Sequence, residues 1–172
     1  FTMQFDTQLL FWYTGSTYAF TSGNFATLVG TTESGTGSTA INLVNARYLG
    51  VGDGVAIPKV ALIIGTSVTT ANTTATIQFR FQGSTDSTNW TTYVQSEWLT
   101  TASLTAGSCP FKIDVPPVPT GVTLPTYYRI FADLDNTAGT QTISAGTILG
   151  GIVLSRDDQV GGGQYPSGFS VA

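Results

Sequence analysis

The stretch Thr74-Ala75-Thr76-Ile77-Gln78-Phe79-Arg80-Phe81-Gln82 sets Ala75, Ile77, Phe79 and Phe81 on one side and Thr76, Gln78, Arg80 and Gln82 on the other. A strict period of two over this length is the pattern of an antiparallel strand with one face in a core and one toward solvent. Residues 83–89, Gly-Ser-Thr-Asp-Ser-Thr-Asn, have loop composition, and Trp90-Thr91-Thr92-Tyr93-Val94 resumes as the returning strand of a hairpin. From Tyr127 to Leu134 the alternation recurs, with Tyr128, Ile130, Ala132 and Leu134 on one side, and Phe111 to Val115 alternates again. Pro116, Pro117 and Pro119 then deny the backbone its ladder donors, which makes 116–125 an extended connection.

Two segments are apolar almost throughout, Val60 to Ile64 and Thr147 to Leu154. Strands of that kind belong in the middle of a sheet with both faces covered. Gly150-Gly151 interrupts the second and marks a bulge or a close backbone approach. Thr7 to Trp12 reads as a strand, and 39–44, 95–99 and 141–144 as weaker ones. About eight to ten short strands separated by turn residues specify an all-β protein, an antiparallel β-sandwich whose two inner faces form the core. The strand number suits a jelly roll better than an immunoglobulin-like domain. A chain of 172 residues forms one such domain, expected over 39–160, between an aromatic-rich N-terminal arm with a Gly/Ser/Thr-rich loop (1–38) and a C-terminal tail (161–172).

Composition excludes much else. Charged residues are 9% of the chain, Lys and Glu occur twice each, and hydroxyls replace them in 30 Thr and 14 Ser. Amphipathic helices need charged outer faces, so a helical bundle is excluded. A net charge of −4 with six scattered cations offers no field for phosphate, so no nucleic-acid partner is expected. Nor is a membrane partner, since no apolar run reaches the roughly 20 residues a spanning helix requires. Histidine is absent, which removes the commonest general base and metal ligand together and leaves no Ser-His-Asp or Cys-His constellation. Cys109 is solitary and has no basic neighbour to activate it.

Asp133 and Asp135 share a strand face and form the one carboxylate pair worth weighing for glycoside hydrolysis or calcium. The pattern of oxygens is incomplete, and Asp135-Asn136 reads better as a turn. Gly50-Val51-Gly52-Asp53-Gly54 lacks the following helix of a phosphate cradle, and the sequons at 72–74 and 89–91 are expected by chance in so Thr-rich a chain. The expectation is therefore a protein that is not an enzyme and carries no cofactor and no metal.

The termini hold the unabsorbed signal. Residues 1–25 contain eight of the twenty aromatics, and Gly161-Gly162-Gly163 forms a hinge before Gln164-Tyr165-Pro166-Ser167-Gly168-Phe169. Leu9, Leu10 and Phe11 can lie across the domain's own core, or the arm can bury itself in a neighbour, since aromatics are enriched at interface centres. The expected contact set is Phe5, Leu9, Phe11, Trp12, Tyr13, Tyr18, Phe20, Tyr165 and Phe169, with Trp12, Tyr13, Tyr165 and Phe169 as anchors.

Four segments in order, Phe5-Asp6-Thr7-Gln8-Leu9-Leu10-Phe11, Ala46-Arg47-Tyr48-Leu49-Gly50-Val51-Gly52, Tyr127-Tyr128-Arg129-Ile130 and Tyr165-Pro166-Ser167-Gly168-Phe169, resemble the cement, or head-decoration, proteins of tailed double-stranded-DNA bacteriophages of the Bordetella podophage type. The resemblance implies a jelly roll on the exterior of the capsid that clamps neighbouring major capsid protein subunits against internal DNA pressure. It brings no catalytic residues. Self-association into a homo-oligomer is expected too, a homodimer in preference to a trimer. The alternative is a carbohydrate-binding jelly-roll module of a phage tail or receptor-binding protein, in which Trp90 and Trp98 stack on sugars and Asp86 and Asn89 accept their hydroxyls. A carboxylate glycosidase using Asp133 and Asp135 is the remaining rival.

Overall fold

The alternating stretches pair with one another along their whole length. A computed structural model describes residues 5–12, 26–27, 36–38, 40–44, 58–71, 75–116, 118, 120–135 and 142–153. Among these are eleven strands: β1 (Phe5–Trp12), β2 (Ala26–Thr27), β3 (Thr36–Gly37), β4 (Ile41–Asn42), β5 (Lys59–Thr70), β6 (Thr76–Ser84), β7 (Thr91–Gln95), β8 (Leu99–Thr100), β9 (Phe111–Asp114), β10 (Tyr127–Leu134) and β11 (Ile143–Val153). A single 3-10 turn, Thr101–Ser103, is the one helical element among the described residues. All pairings are antiparallel.

One sheet runs β1-β11-β5-β9, with β2 also on β11. The other runs β3-β10-β6-β7, with β4 continuing along β10 and β8 along β6. The two pack face to face as an all-β sandwich. As the apolar runs predicted, β11 and β5 are the inner strands of their sheet and are buried on both faces. Val60, Leu62, Ile64, Ile148 and Ile152 belong to the core between the sheets, while Ala61, Leu149 and Val153 are buried outside that cluster.

From the second sheet, β6 supplies Ile77, Phe79 and Phe81 to the core, and β10 supplies Tyr128, Ile130, Ala132 and Leu134. Their register is unbroken from Tyr127↔Ser84 to Leu134↔Ile77. Phe81 is the hub of an aromatic cluster: it stacks on Tyr128 at 5.3 Å and 9°, meets Phe11 edge-on at 6.1 Å, and lies 6.4 Å from Tyr93. Offset and edge-on pairs of this kind add to the burial of the rings themselves. Gly150 is the close backbone approach anticipated at 150–151, since a side chain there would collide with Leu62 on β5. The irregularity beside it lies in β1, whose Leu10 and Trp12 face Gly151 and Gly150.

The expected N-terminal arm is corrected in part. Residues 5–12 form a strand of the sheet, hydrogen-bonded to β11, and Phe11 is fully buried against Phe81. Phe11 therefore serves the protein's own core and not a partner. Of the β1 side chains only Phe11 is described, so those of Phe5, Leu9 and Trp12 lie outside the described set, as do Tyr13, Tyr18, Phe20, Tyr165 and Phe169 altogether. The strand anticipated over 95–99 is also shorter: 96–98 is irregular, and only Leu99–Thr100 returns to pair with β6.

Truncating the aromatic hub, Phe81→Ala, is expected to cost about 3–5 kcal/mol of unfolding free energy. Gly150→Val, which drives a side chain into Leu62, is expected to cost about 1–3 kcal/mol through overpacking. Urea unfolding midpoints at constant slope measure both.

Candidate functional site

Because Ile77, Phe79 and Phe81 point inward, the residues between them on β6 must point outward, and they do so beside the outward residues of β10. Opposite neighbours on this outer face are Gln82 with Arg129, Arg80 with Phe131 and Gln78 with Asp133. Gln78 and Gln82 are buried nonetheless. Burying a primary amide is costly unless its donors and acceptor are met, and here each is hydrogen-bonded at both ends. Gln78 donates to the Ser96 carbonyl at 3.0 Å and accepts from Arg80 Nε at 2.8 Å. Gln82 donates to Thr92 Oγ1 at 3.0 Å and accepts from Arg129 Nε at 2.8 Å.

The two arginines differ in what neutralises them. Arg80 forms an ion pair with Asp133 at 2.5 Å. Arg129 has no carboxylate partner among the described residues. Its guanidinium lies over the Trp90 ring, 4.1 Å from the centroid, and 5.2 Å from that of Phe131. Partial burial pulls its ionisation below the ordinary arginine value, but arginine stays protonated in proteins, so a desolvated positive charge remains. Beside it, a side chain at Gly37 would come within 2.7 Å of Nη1. The glycine leaves the guanidinium the space it occupies.

Three apolar residues outside the strands, Val44, Val122 and Leu124, are exposed. Val44 is 79% exposed and holds φ of 67°, a left-handed conformation rare for a β-branched residue. Its amide donates to Asn42 Oδ1 at 2.8 Å, which closes the turn.

Other sequence candidates are dispersed or already occupied. Asp86 accepts hydrogen bonds from the amides of Thr88 and Asn89 at 2.9 and 2.7 Å, from Asn89 Nδ2 at 2.7 Å and from Ser84 Oγ at 2.9 Å. It closes its own loop and has little capacity left for sugar hydroxyls. Trp90 precedes β7, whose Thr91 faces Gly83, and Trp98 precedes β8, whose Leu99 faces Ile77. Six positions on β6 separate those two rows, about 20 Å at strand spacing. The tryptophans thus do not assemble a common platform. Asp133 is held by Arg80, and Thr76 donates to Asp135 at 3.4 Å. No group of three or more His, Cys, Asp or Glu side chains is poised for a metal ion among the described residues. Desolvation raises the Cys109 thiol above its ordinary value, so it is not an activated thiolate.

The Arg129 cluster is the feature that sequence reading missed. Its signal was the outward half of the Tyr127–Leu134 alternation, which sets Tyr127, Arg129, Phe131 and Asp133 on one face. No family model matches the chain, and no curated protein matches it in sequence.

The Asp86 carboxyl is held well below the usual carboxylate range, chiefly by the Asn89 amide and side chain and then by the Thr88 amide. Its contribution to loop order is therefore fully present above the unfolded value of about 3.9 and is lost as pH falls through the lower folded value. Loop order should stay constant from neutrality down to about pH 4, declining only in stronger acid. Asp86→Ala should abolish that dependence and speed exchange of the Thr88 and Asn89 amides, read by NMR.

Proposed function

We propose that this protein is a structural component of a virion, a cement or head-decoration protein that binds the outer surface of a phage capsid and ties neighbouring major capsid protein subunits together. The observation that carries this reading is the outer face of the β3-β10-β6-β7 sheet. There Trp90 and Phe131 gather around the guanidinium of Arg129, which buried Gln82 holds through its Nε. Trp, Tyr and Arg in a preorganised, partly desolvated patch are what concentrate binding energy at protein interfaces. Arg129 itself sits in Tyr127-Tyr128-Arg129-Ile130, one of the segments on which the resemblance rests.

Two further observations support it. With the two-residue β2 left aside and the short strands grouped as β3/β4 and β7/β8, the remaining eight take the order 1-8-3-6 and 2-7-4-5 in chain sequence. That order supports the jelly-roll reading, because each sheet alternates strands from two interleaved Greek keys. The carboxylates that a hydrolase would need are engaged by Arg80, Thr76 and the chain's own loop.

A clamp of this kind works through linked contacts. Each can be modest, because a molecule already held at one subunit meets the next at high effective concentration. A site shared between subunits exists only in the assembled lattice, so occupancy stabilises that state by mass action. A net charge of −4 suits the outside of the shell and opposes a position against packaged DNA. Tyr165 and Phe169 are proposed as a second point of attachment, and a homodimer as the bound unit.

Mixing the purified protein with undecorated heads should give saturable co-sedimentation and raise the temperature at which the heads release DNA. Absence of binding would end this reading. Removing residues 1–13 is unsuitable as a test, since it takes β1 and Phe11 out of the sandwich. The double variant Tyr165→Ala/Phe169→Ala should instead lower head affinity roughly tenfold while leaving the unfolding midpoint unchanged.

A further inference from the structure

We infer that Arg129 receives an aspartate or glutamate side chain of the shell subunit on which the protein sits, an inference that rests on the decoration reading. The chemistry begins with what the guanidinium has already committed. Nε donates to Gln82 Oε1, and the plane is fixed by Trp90 on its face and Phe131 nearby. Among the described residues no oxygen accepts from Nη1 or Nη2. The two Nη groups form the fork that matches a carboxylate bidentately. Because the fork is held in place before binding, little side-chain entropy remains to be lost when an anion arrives.

Charge distinguishes the possible anions. A polyanion needs several cations within reach of successive phosphates, but the other arginine on this face, Arg80, is neutralised by Asp133. One cation with no carboxylate partner among the described residues fits one incoming carboxylate. A sugar acid stacked on Trp90 is disfavoured, because the guanidinium already occupies a face of the indole. The surroundings fit a protein surface: Tyr127 and Phe131 flank Arg129 along β10 and are half-buried. Aromatic residues around a central ion pair exclude water and strengthen it.

Gly37 supplies an unusual handle. A methyl group there would meet Nη1 at 2.7 Å and Cζ at 3.1 Å, atoms of the arginine side chain and not the backbone. Gly37→Ala should therefore displace the guanidinium while keeping both its charge and the fold.

The test compares wild type, Arg129→Gln, Arg129→Lys and Gly37→Ala for binding to undecorated heads at low and high salt, with unfolding midpoints measured in parallel. Arg129→Gln is expected to bind about 10- to 100-fold more weakly and to lose part of the salt dependence. Arg129→Lys should recover affinity only in part, since an ammonium cannot present the fork. Gly37→Ala should weaken binding severalfold with its midpoint within a few degrees of wild type, which separates a misplaced fork from a damaged fold. Heads that take up wild type and Arg129→Gln within twofold of each other would overturn the inference while leaving decoration intact. Failure of wild type to bind would instead remove the decoration reading and this inference together. If Arg129→Gln changed the native mass of the free protein but not head binding, the carboxylate would come from a second copy, and the inference as stated would be wrong.

Discussion

The unbroken antiparallel register between β6 and β10, from Tyr127↔Ser84 to Leu134↔Ile77, is the constraint on which both the core and the candidate contact face depend. Side chains alternate across a strand, so one register decides two surfaces at once. With these partners, Phe81 stacks on Tyr128 inside the sandwich and Gln82 bonds to Arg129 outside it. A slip of one residue between them would reverse one strand against the other, turning either Arg80 or Arg129 into the apolar interior and sending Phe79 and Phe81, or Ile130, to the surface. The cost of burying a guanidinium group without partners, added to the disruption of the apolar core, makes that alternative untenable.

The outer face is not simply the solvated side of a sheet. Its glutamines are as buried as core residues, and their amides act as fixed dipoles that hold two arginines in defined places. Arg80 is internally compensated by Asp133. Arg129 is braced by aromatic rings and an amide but not neutralised among the described residues. A partly desolvated cation with no counter-charge among the described residues favours a state in which a carboxylate arrives. That asymmetry between two arginines on one face is the physical reason for proposing the face as a contact surface.

The reading of individual segments from sequence succeeded where one face of a strand is apolar and the other polar. Tyr127 to Leu134 was legible to the residue, and β6 nearly so, because the alternation of Ile77, Phe79 and Phe81 with Gln78, Arg80 and Gln82 has no helical solution. The apolar runs at Val60 and Thr147 were correctly placed at the centre of a sheet, since strands covered on both faces cannot alternate. The N-terminal segment misled because aromatic residues are equally at home in a core or an interface. Only the pairing of β1 with β11 and the complete burial of Phe11 assign that residue to its own domain. Trp90 and Trp98 were not legible as separate for a related reason. Eight residues apart in sequence, they belong to rows at opposite ends of β6, and nothing in composition reveals how far a hairpin arm travels before it pairs again.

By itself the sequence determined the fold class, the inward and outward faces of the long strands, and the absence of histidine-based chemistry, because these follow from side-chain period and residue inventory, which are local. Tertiary structure alone decided which strands are neighbours, that Phe11 completes the aromatic hub, that Asp86 is consumed by its own loop, and that among the described residues Arg80 has a carboxylate while Arg129 is braced without one. Those facts depend on residues brought together across 47 positions of chain in the Gln82–Arg129 bond and 92 in the Ser38–Ile130 bond. Pairing over such separations is selected by the packing of whole faces, which no single segment encodes.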